Sequence, residues 1–251
     1  MNQIILGDCA TVLPTLPSRF ARLAYVDPPF NTGKVQTRQL SSYTDSFTDF
    51  ESFLMPRIQA GLRCLTDDGS IMIHLDYREV HYIKVAMDQL LGRDHFINEI
   101  VWSYDYGARS KKRYSTKHDT ILWYCKDPAN YVFHYDQLQR IPYMAPALQT
   151  PERQVRGKTV TDVIWQTIVP TMSKENLRYP TQKPLGLINQ FIRVHTDPGD
   201  TVLDFFAGSG TVGAAAKEQG RNFVMIDQNP DAVALMNRRL QPGDWSDNRV
   251  A

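Results

Sequence analysis

Thr201-Val202-Leu203-Asp204-Phe205-Phe206-Ala207-Gly208-Ser209-Gly210-Thr211 is the stretch that decides the fold. An apolar run ends in a carboxylate, and a glycine turn follows at once. The turn opens into a helix pattern over residues 212–219. A second apolar run, Asn222-Phe223-Val224-Met225-Ile226, then ends at Asp227. Strand, glycine turn, helix, strand and terminal acid make a βαβ unit, and such units build parallel sheets. Residues 232–240 add a helix pattern, and residues 185–192 form another before the turn Asp197-Pro198-Gly199-Asp200.

Gly208, Gly210 and Gly213 match the G-x-G-x-x-G spacing, with Asp227 near the distance of a ribose-binding acid. A nicotinamide or flavin dinucleotide, and hence an oxidoreductase, is therefore one reading of this turn. Asp204 argues against it, because a carboxylate beside the turn repels a pyrophosphate. S-adenosylmethionine offers a cation there instead, its α-ammonium. Its α-carboxylate can use Lys183 or free backbone N–H groups.

The second decisive stretch is Asp27-Pro28-Pro29-Phe30, which follows the strand-like run Leu23-Ala24-Tyr25-Val26. Asp-Pro at a strand end ordinarily just starts a turn. Here two prolines also remove two N–H donors, so the carbonyls and the Asp27 carboxylate are all acceptors. A rigid acceptor cluster beside an aromatic face suits a flat group bearing an –NH2, such as adenine or cytosine.

The 251 residues suffice for one large domain, or one with an insertion. Hydrophobic content of 42% and charged content of 22% fit a soluble globular chain, and no long apolar run or signal-like start suggests a membrane. Cys9, Cys64 and Cys125 lack metal-ligand spacing and read as buried thiols in a reducing compartment. No metal is expected. Net charge is only +1, so any nucleic-acid contact must come from local clustering.

From the start, residues 3–6 read as a strand ending at Gly7-Asp8-Cys9, and residues 10–17 as a short helix or turn. Residues 31–49 are polar and read as a mobile loop. Residues 50–65 and 77–91 have helical spacing, and residues 70–75 are a core strand. Residues 96–102 and 120–124 are strands flanking a basic excursion. In it Arg109, Lys111, Lys112, Arg113 and Lys117 can neutralise phosphates, and Tyr104, Tyr106 and Tyr114 can stack. Such a charge run is otherwise a solvated face. Residues 127–178 lose periodicity and hold Arg153, Arg156 and Lys158. So long an irregular stretch usually carries function or is disordered.

In this order, Leu6-Gly7-Asp8-Cys9, Asp27 to Phe30, the stretch 69–74, Asn98-Glu99-Ile100-Val101-Trp102, the stretch 117–122, Thr181-Gln182-Lys183-Pro184, the stretch 204–211 and Asp227 resemble the motifs of the beta class of exocyclic-amino DNA methyltransferases. The resemblance spans nearly the whole chain. It implies an α/β, Rossmann-like methyltransferase fold with a mostly parallel seven-stranded sheet, circularly permuted, and a small recognition insertion. Residues 1–127 are then the catalytic half, 128–178 the target-recognition region and 179–251 the cofactor half.

The resemblance also implies roles. Asp27, Pro28, Pro29 and Phe30 would hold the target amine and stack the flipped base. Asp8 would lie near the cofactor adenine and Asp227 would hold its ribose. Thr181, Lys183 and Pro184 would line the methionine side. Asp27, Asp204, Phe205, Ala207, Gly208, Ser209, Gly210, Thr211 and Asn229 would complete the S-adenosylmethionine site. Expected partners are double-stranded DNA, a second copy of the chain and a cognate restriction endonuclease. The leading activity is adenine N6 methylation, with cytosine N4 as the alternative. No cysteine follows a proline, which argues against the cytosine-C5 reaction. Catalytically silent DNA binding, and methylation of RNA or protein glutamine, are weaker readings.

Overall fold

The computed structural model describes residues 2–38 and 41–240. Its main sheet has eight strands in the order Asn2–Leu6, Asn222–Asp227, Thr201–Asp204, Ala21–Val26, Leu65–Leu75, His118–Cys125, Phe96–Ser103 and Val163–Trp165. His118–Cys125 pairs antiparallel with both its neighbours. Every other pairing is parallel. The anticipated seven-stranded sheet therefore gains an eighth strand, Val163–Trp165, which extends the edge beside Phe96–Ser103. Three residues are too few to show a period, so the sequence pattern does not reveal it.

Alternation along the strands explains the three layers. Ala24, Val26, Ile71, Ile73 and Leu203 face one core, built with Leu54, Ile58 and Leu62 of the helix Phe50–Cys64 and Ile83 and Met87 of Val80–Leu91. Leu23, Tyr25, Met72 and Val202 face the other, against Leu187, Ile188 and Phe191 of Leu185–His195, Ala215 of Thr211–Glu218 and Met236 of Pro230–Leu240. Asp49 starts Phe50–Cys64 by accepting the Ser52 N–H at 2.9 Å, a side-chain cap for an otherwise orphaned donor.

Two further differences from expectation have local causes. Residues 31–49 are not one long loop: Lys34–Arg38 and Ser41–Asp45 pair as an antiparallel hairpin. The alternation of Val35 and Thr37 with polar residues is a weak strand signal hidden in a polar stretch. The strand expected at residues 70–75 starts at Leu65, because a register shift carries Asp67, Asp68 and Gly69 within it. Residues 39 and 40 of the expected loop, and residues 241–251 of the expected cofactor half, lie outside the described residues.

The chain order now has a consequence for the site. Thr201–Asp204 and Ala21–Val26 are adjacent and parallel, with Leu203 opposite Ala24, yet come from opposite ends of the sequence. Successive strands lead away from this pair in opposite directions, so it is the topological switch point where open α/β sheets bind ligands. Asp204 and Asp27 stand at its two carboxyl ends.

Candidate active site

A cavity of about 640 Å³ opens over these strand ends, large enough to take most of a nucleoside-sized ligand. Of the residues singled out from sequence, Asp8, Asp27, Pro29, Thr181, Lys183, Asp204, Phe205, Ala207, Gly208, Ser209, Thr211, Asp227 and Asn229 line it. Pro28, Phe30, Pro184 and Gly210 do not line it, though each adjoins a lining residue in the chain.

The glycine turn is built for close approach. Gly208 (φ 49°) and Gly210 (φ 73°) are left-handed, and a Cβ on Gly210 would stand 2.7 Å from Met236 Cγ. Buried Arg239 braces the turn from below, donating to the Ser209 carbonyl at 2.9 Å and the Thr211 hydroxyl at 3.1 Å. Burial pulls that guanidinium down to about 10. Asp227 accepts the Gly208 N–H at 2.7 Å and the Asn229 N–H at 2.8 Å, leaving each oxygen a lone pair for a ligand hydroxyl. Burial still raises its carboxyl.

Asp204 is buried and accepts the Phe206 N–H at 3.0 Å. Burial pushes its carboxyl well above the carboxylate range. The Phe206 N–H opposes this, Asp27 and Asp227 add to it, and Lys183 partly offsets it. A ligand cation placed here would find a favourable site. At the far end Asp8 caps the helix Cys9–Val12 through the Ala10 N–H and is held by Arg57 at 3.0 Å. Partial burial raises the Asp8 carboxyl, but these contacts outweigh it and hold it below the ordinary range.

Asp27 sits differently. Its Oδ2 lies 2.8 Å from Lys183 Nζ, while its Oδ1 is buried without a hydrogen-bond partner. The sequence explains the orphan: the next two residues are prolines and supply no N–H. Asn31, left-handed at φ 53°, then turns the chain away, its side chain binding the Phe47 N–H and the Glu79 carboxylate, each at 2.7 Å. Asp45 closes the same turn by accepting the Asn31 N–H at 2.7 Å.

Behind Phe30 runs a buried polar chain. Tyr25 Oη lies 2.6 Å from His74 Nδ1, His74 Nε2 lies 3.1 Å from Asp119 Oδ2, and the Tyr104 hydroxyl donates to Asp119 Oδ1 at 3.0 Å. The Phe30 and His74 ring centroids are 5.7 Å apart. Burial would raise the Asp119 carboxyl, but His74, Lys183 and Tyr104 hold it below the usual range. Buried polar groups satisfied in this way rigidify their surroundings. The motif positions of His74 and Asp119 were legible, but their partnership was not, because it crosses strands.

Tyr104 also opens the basic excursion. Arg109 is spent on Asp105 at 2.6 Å, and Lys117 donates to the carbonyls of Tyr106, Gly107 and Ala108. Lys111, Lys112 and Arg113 are exposed. Arg57, which stacks at 4.0 Å over Phe53 while holding Asp8, had no sequence signal, since a helical Arg is ordinarily solvated.

Comparison with known proteins bears on this geometry. A family profile described as DNA methylase matches residues 21–238. DNA adenine methyltransferase YhdJ of Escherichia coli (strain K12) is 31% identical over 249 residues, spanning 95% of this chain and 82% of that protein. Type II methyltransferase M.HpaI of Haemophilus parainfluenzae is 29% identical over 242 residues, covering 95% and 74%. Among solved structures, the M1.HpyAVI–SAM complex superposes with a TM-score of 0.66 at 24% identity, covering 96% of this chain and 100% of that one. PvuII DNA methyltransferase (cytosine-N4-specific) does so with a TM-score of 0.72 at 17% identity, covering 98% and 88%. These superpositions speak to the fold.

Proposed function

The chain belongs to the N6/N4 DNA methylase family, and from that membership we propose that it transfers a methyl group from S-adenosylmethionine to adenine N6 in double-stranded DNA. The observation that carries the chemistry is the orphaned Oδ1 of Asp27. A buried acceptor without a donor costs about 1–3 kcal/mol, and a target amine supplies the missing N–H. The choice of adenine rests on the resemblance, which associates Asp at the first motif position more with adenine and Ser more with cytosine, and on the adenine specificity in the name of the 31% identical relative.

The cavity fits the cofactor by its donor and acceptor set: Asp227 for ribose hydroxyls, Asp204 for an ammonium, and a glycine turn for close approach. When bound, S-adenosylmethionine supplies a methyl on a sulfonium. An exocyclic amine is a poor nucleophile because its lone pair is delocalised into the ring. Asp27 Oδ1 and the Pro28 carbonyl each accept one of its N–H groups, steering the nitrogen toward tetrahedral geometry. Preplaced acceptors then stabilise the positive charge that the nitrogen gains as its bond to the methyl carbon forms and the sulfur–carbon bond breaks. The amine proton is lost toward Asp27. Phe30 stacks the base once it is out of the duplex.

Lys111, Lys112 and Arg113 contact phosphates, and the region 128–178 reads the target sequence. A second copy of the chain and a cognate restriction endonuclease complete the partners in this reading, set in the bacterial cytoplasm. No described helix is long and apolar enough to cross a membrane.

Asp27→Ala tests the proposal. Turnover should be lost while calorimetry shows S-adenosylmethionine binding within about tenfold, or roughly 1.4 kcal/mol, of the unaltered chain. Methylation that survives the substitution would overturn the role of Asp27.

A further inference from the structure

Within the cavity, an ion pair joins the catalytic and cofactor halves. Asp27 ends a strand near the start of the chain, and Lys183 precedes the helix Leu185–His195. The sequence offers Lys183, or free backbone N–H groups, to the cofactor carboxylate, yet Lys183 Nζ lies 2.8 Å from Asp27 Oδ2 and 4.7 Å from the Phe30 ring centroid. One ammonium thus touches both the acceptor and the aromatic platform. Lys183 is buried, its carbonyl accepts the Thr211 hydroxyl at 3.4 Å, and Pro184 fixes the chain behind it.

We propose that Lys183 is a positioning residue for Asp27: it pins Oδ2, so that Oδ1 is the oxygen presented to the target amine. The inference rests on the methyltransferase reading above. Three observations support it. Among the described residues Lys183 is the one hydrogen-bond or ion partner of Asp27. The terminal torsion of Asp is soft, so without that partner the carboxylate would rotate between orientations. Finally, Lys183 is a cation beside three carboxyls, Asp27, Asp119 and Asp204. Drawing Lys183 away to a ligand carboxylate would leave Asp27 without its counter-charge. That carboxylate has another seat, the N–H groups at the start of the helix Thr211–Glu218, which lack intrahelical acceptors.

Lys183→Met and Lys183→Arg test the assignment. Each would be titrated with S-adenosylhomocysteine and with 5′-methylthioadenosine, which lacks the amino-acid carboxylate. Each would also be assayed on unmethylated genomic DNA at saturating S-adenosylmethionine. A positioning role predicts that Lys183→Met binds both nucleosides within about threefold of the unaltered chain while kcat falls about 100-fold or more. Lys183→Arg should recover part of kcat.

A loss of S-adenosylhomocysteine affinity of about tenfold with methylthioadenosine binding intact, and kcat preserved at saturation, would assign Lys183 to the cofactor carboxylate and overturn the proposal. If Lys183→Met does not fold, Asp27→Asn combined with Lys183→Arg decides. Positioning through Asp27 predicts strongly non-additive losses in kcat, whereas additive losses contradict it. Failure of the unaltered chain to bind S-adenosylhomocysteine or to methylate DNA would instead strike the underlying functional reading.

Discussion

Asp204 shows how burial turns a single carboxyl into a sensor of ligand charge. Its pKa is raised above that of an unfolded chain, first by burial and then by Asp27 and Asp227. The folded protein therefore holds that proton more tightly than the unfolded one, and Asp204 weakens stability as pH rises from the ordinary carboxylate range through its raised value. A cation bound beside it favours the ionised form. Cofactor binding should accordingly release protons, and affinity should tighten as pH rises toward the raised pKa. Calorimetry in buffers of differing ionisation enthalpy should reveal the release, and Asp204→Asn should abolish it. Binding heats independent of buffer would contradict the assignment. At this scale the sequence identified residue types well and partnerships poorly. Asp27, Asp204 and Asp227 were legible from strand ends. The pairing of Lys183 with Asp27 was not, because the two residues are 156 positions apart in the chain and no local pattern records the contact.

Elements with long, regular periods were readable, and short or irregular ones were not. The helices Phe50–Cys64 and Leu185–His195 fall where apolar spacing places them, because each buries one stripe against the sheet. The hairpin Lys34–Arg38 with Ser41–Asp45 and the edge strand Val163–Trp165 escaped, since each depends on a pairing partner rather than on its own pattern. The excursion between Phe96–Ser103 and His118–Cys125 illustrates the same point for charge. Five cations lie there in sequence, but Arg109 is paired with Asp105 and Lys117 holds the loop's own carbonyls. Replacing Lys111, Lys112 and Arg113 by Ala should weaken DNA binding and lower the slope of log affinity against log salt by roughly 2–3. Lys117→Ala should instead loosen the loop. An unchanged slope for a folded triple variant would make the run a solvated face.

The whole molecule is a sheet whose central pair of strands comes from opposite ends of the chain. Thr201–Asp204 brings the glycine turn and Ala21–Val26 brings the acceptor cluster, so the proposed reaction centre forms only when the two ends of the chain come together. The order of motifs made this arrangement legible: the Asp27 to Phe30 stretch first, a glycine turn last and an irregular region between them. Cavity shape, which depends on side chains from many elements, was beyond the reach of the linear pattern. On the proposed reading the joined site methylates an exocyclic amine of DNA. That reading is tested most directly by incubating the chain with unmethylated genomic DNA and labelled S-adenosylmethionine, then identifying the digested nucleosides by mass spectrometry. N6-methyladenine is the expected product, absent when Asp27→Ala replaces the unaltered chain. N4-methylcytosine alone would reverse the choice of base, and 5-methylcytosine alone, or unmodified DNA from a chain that binds the cofactor, would contradict the claim itself.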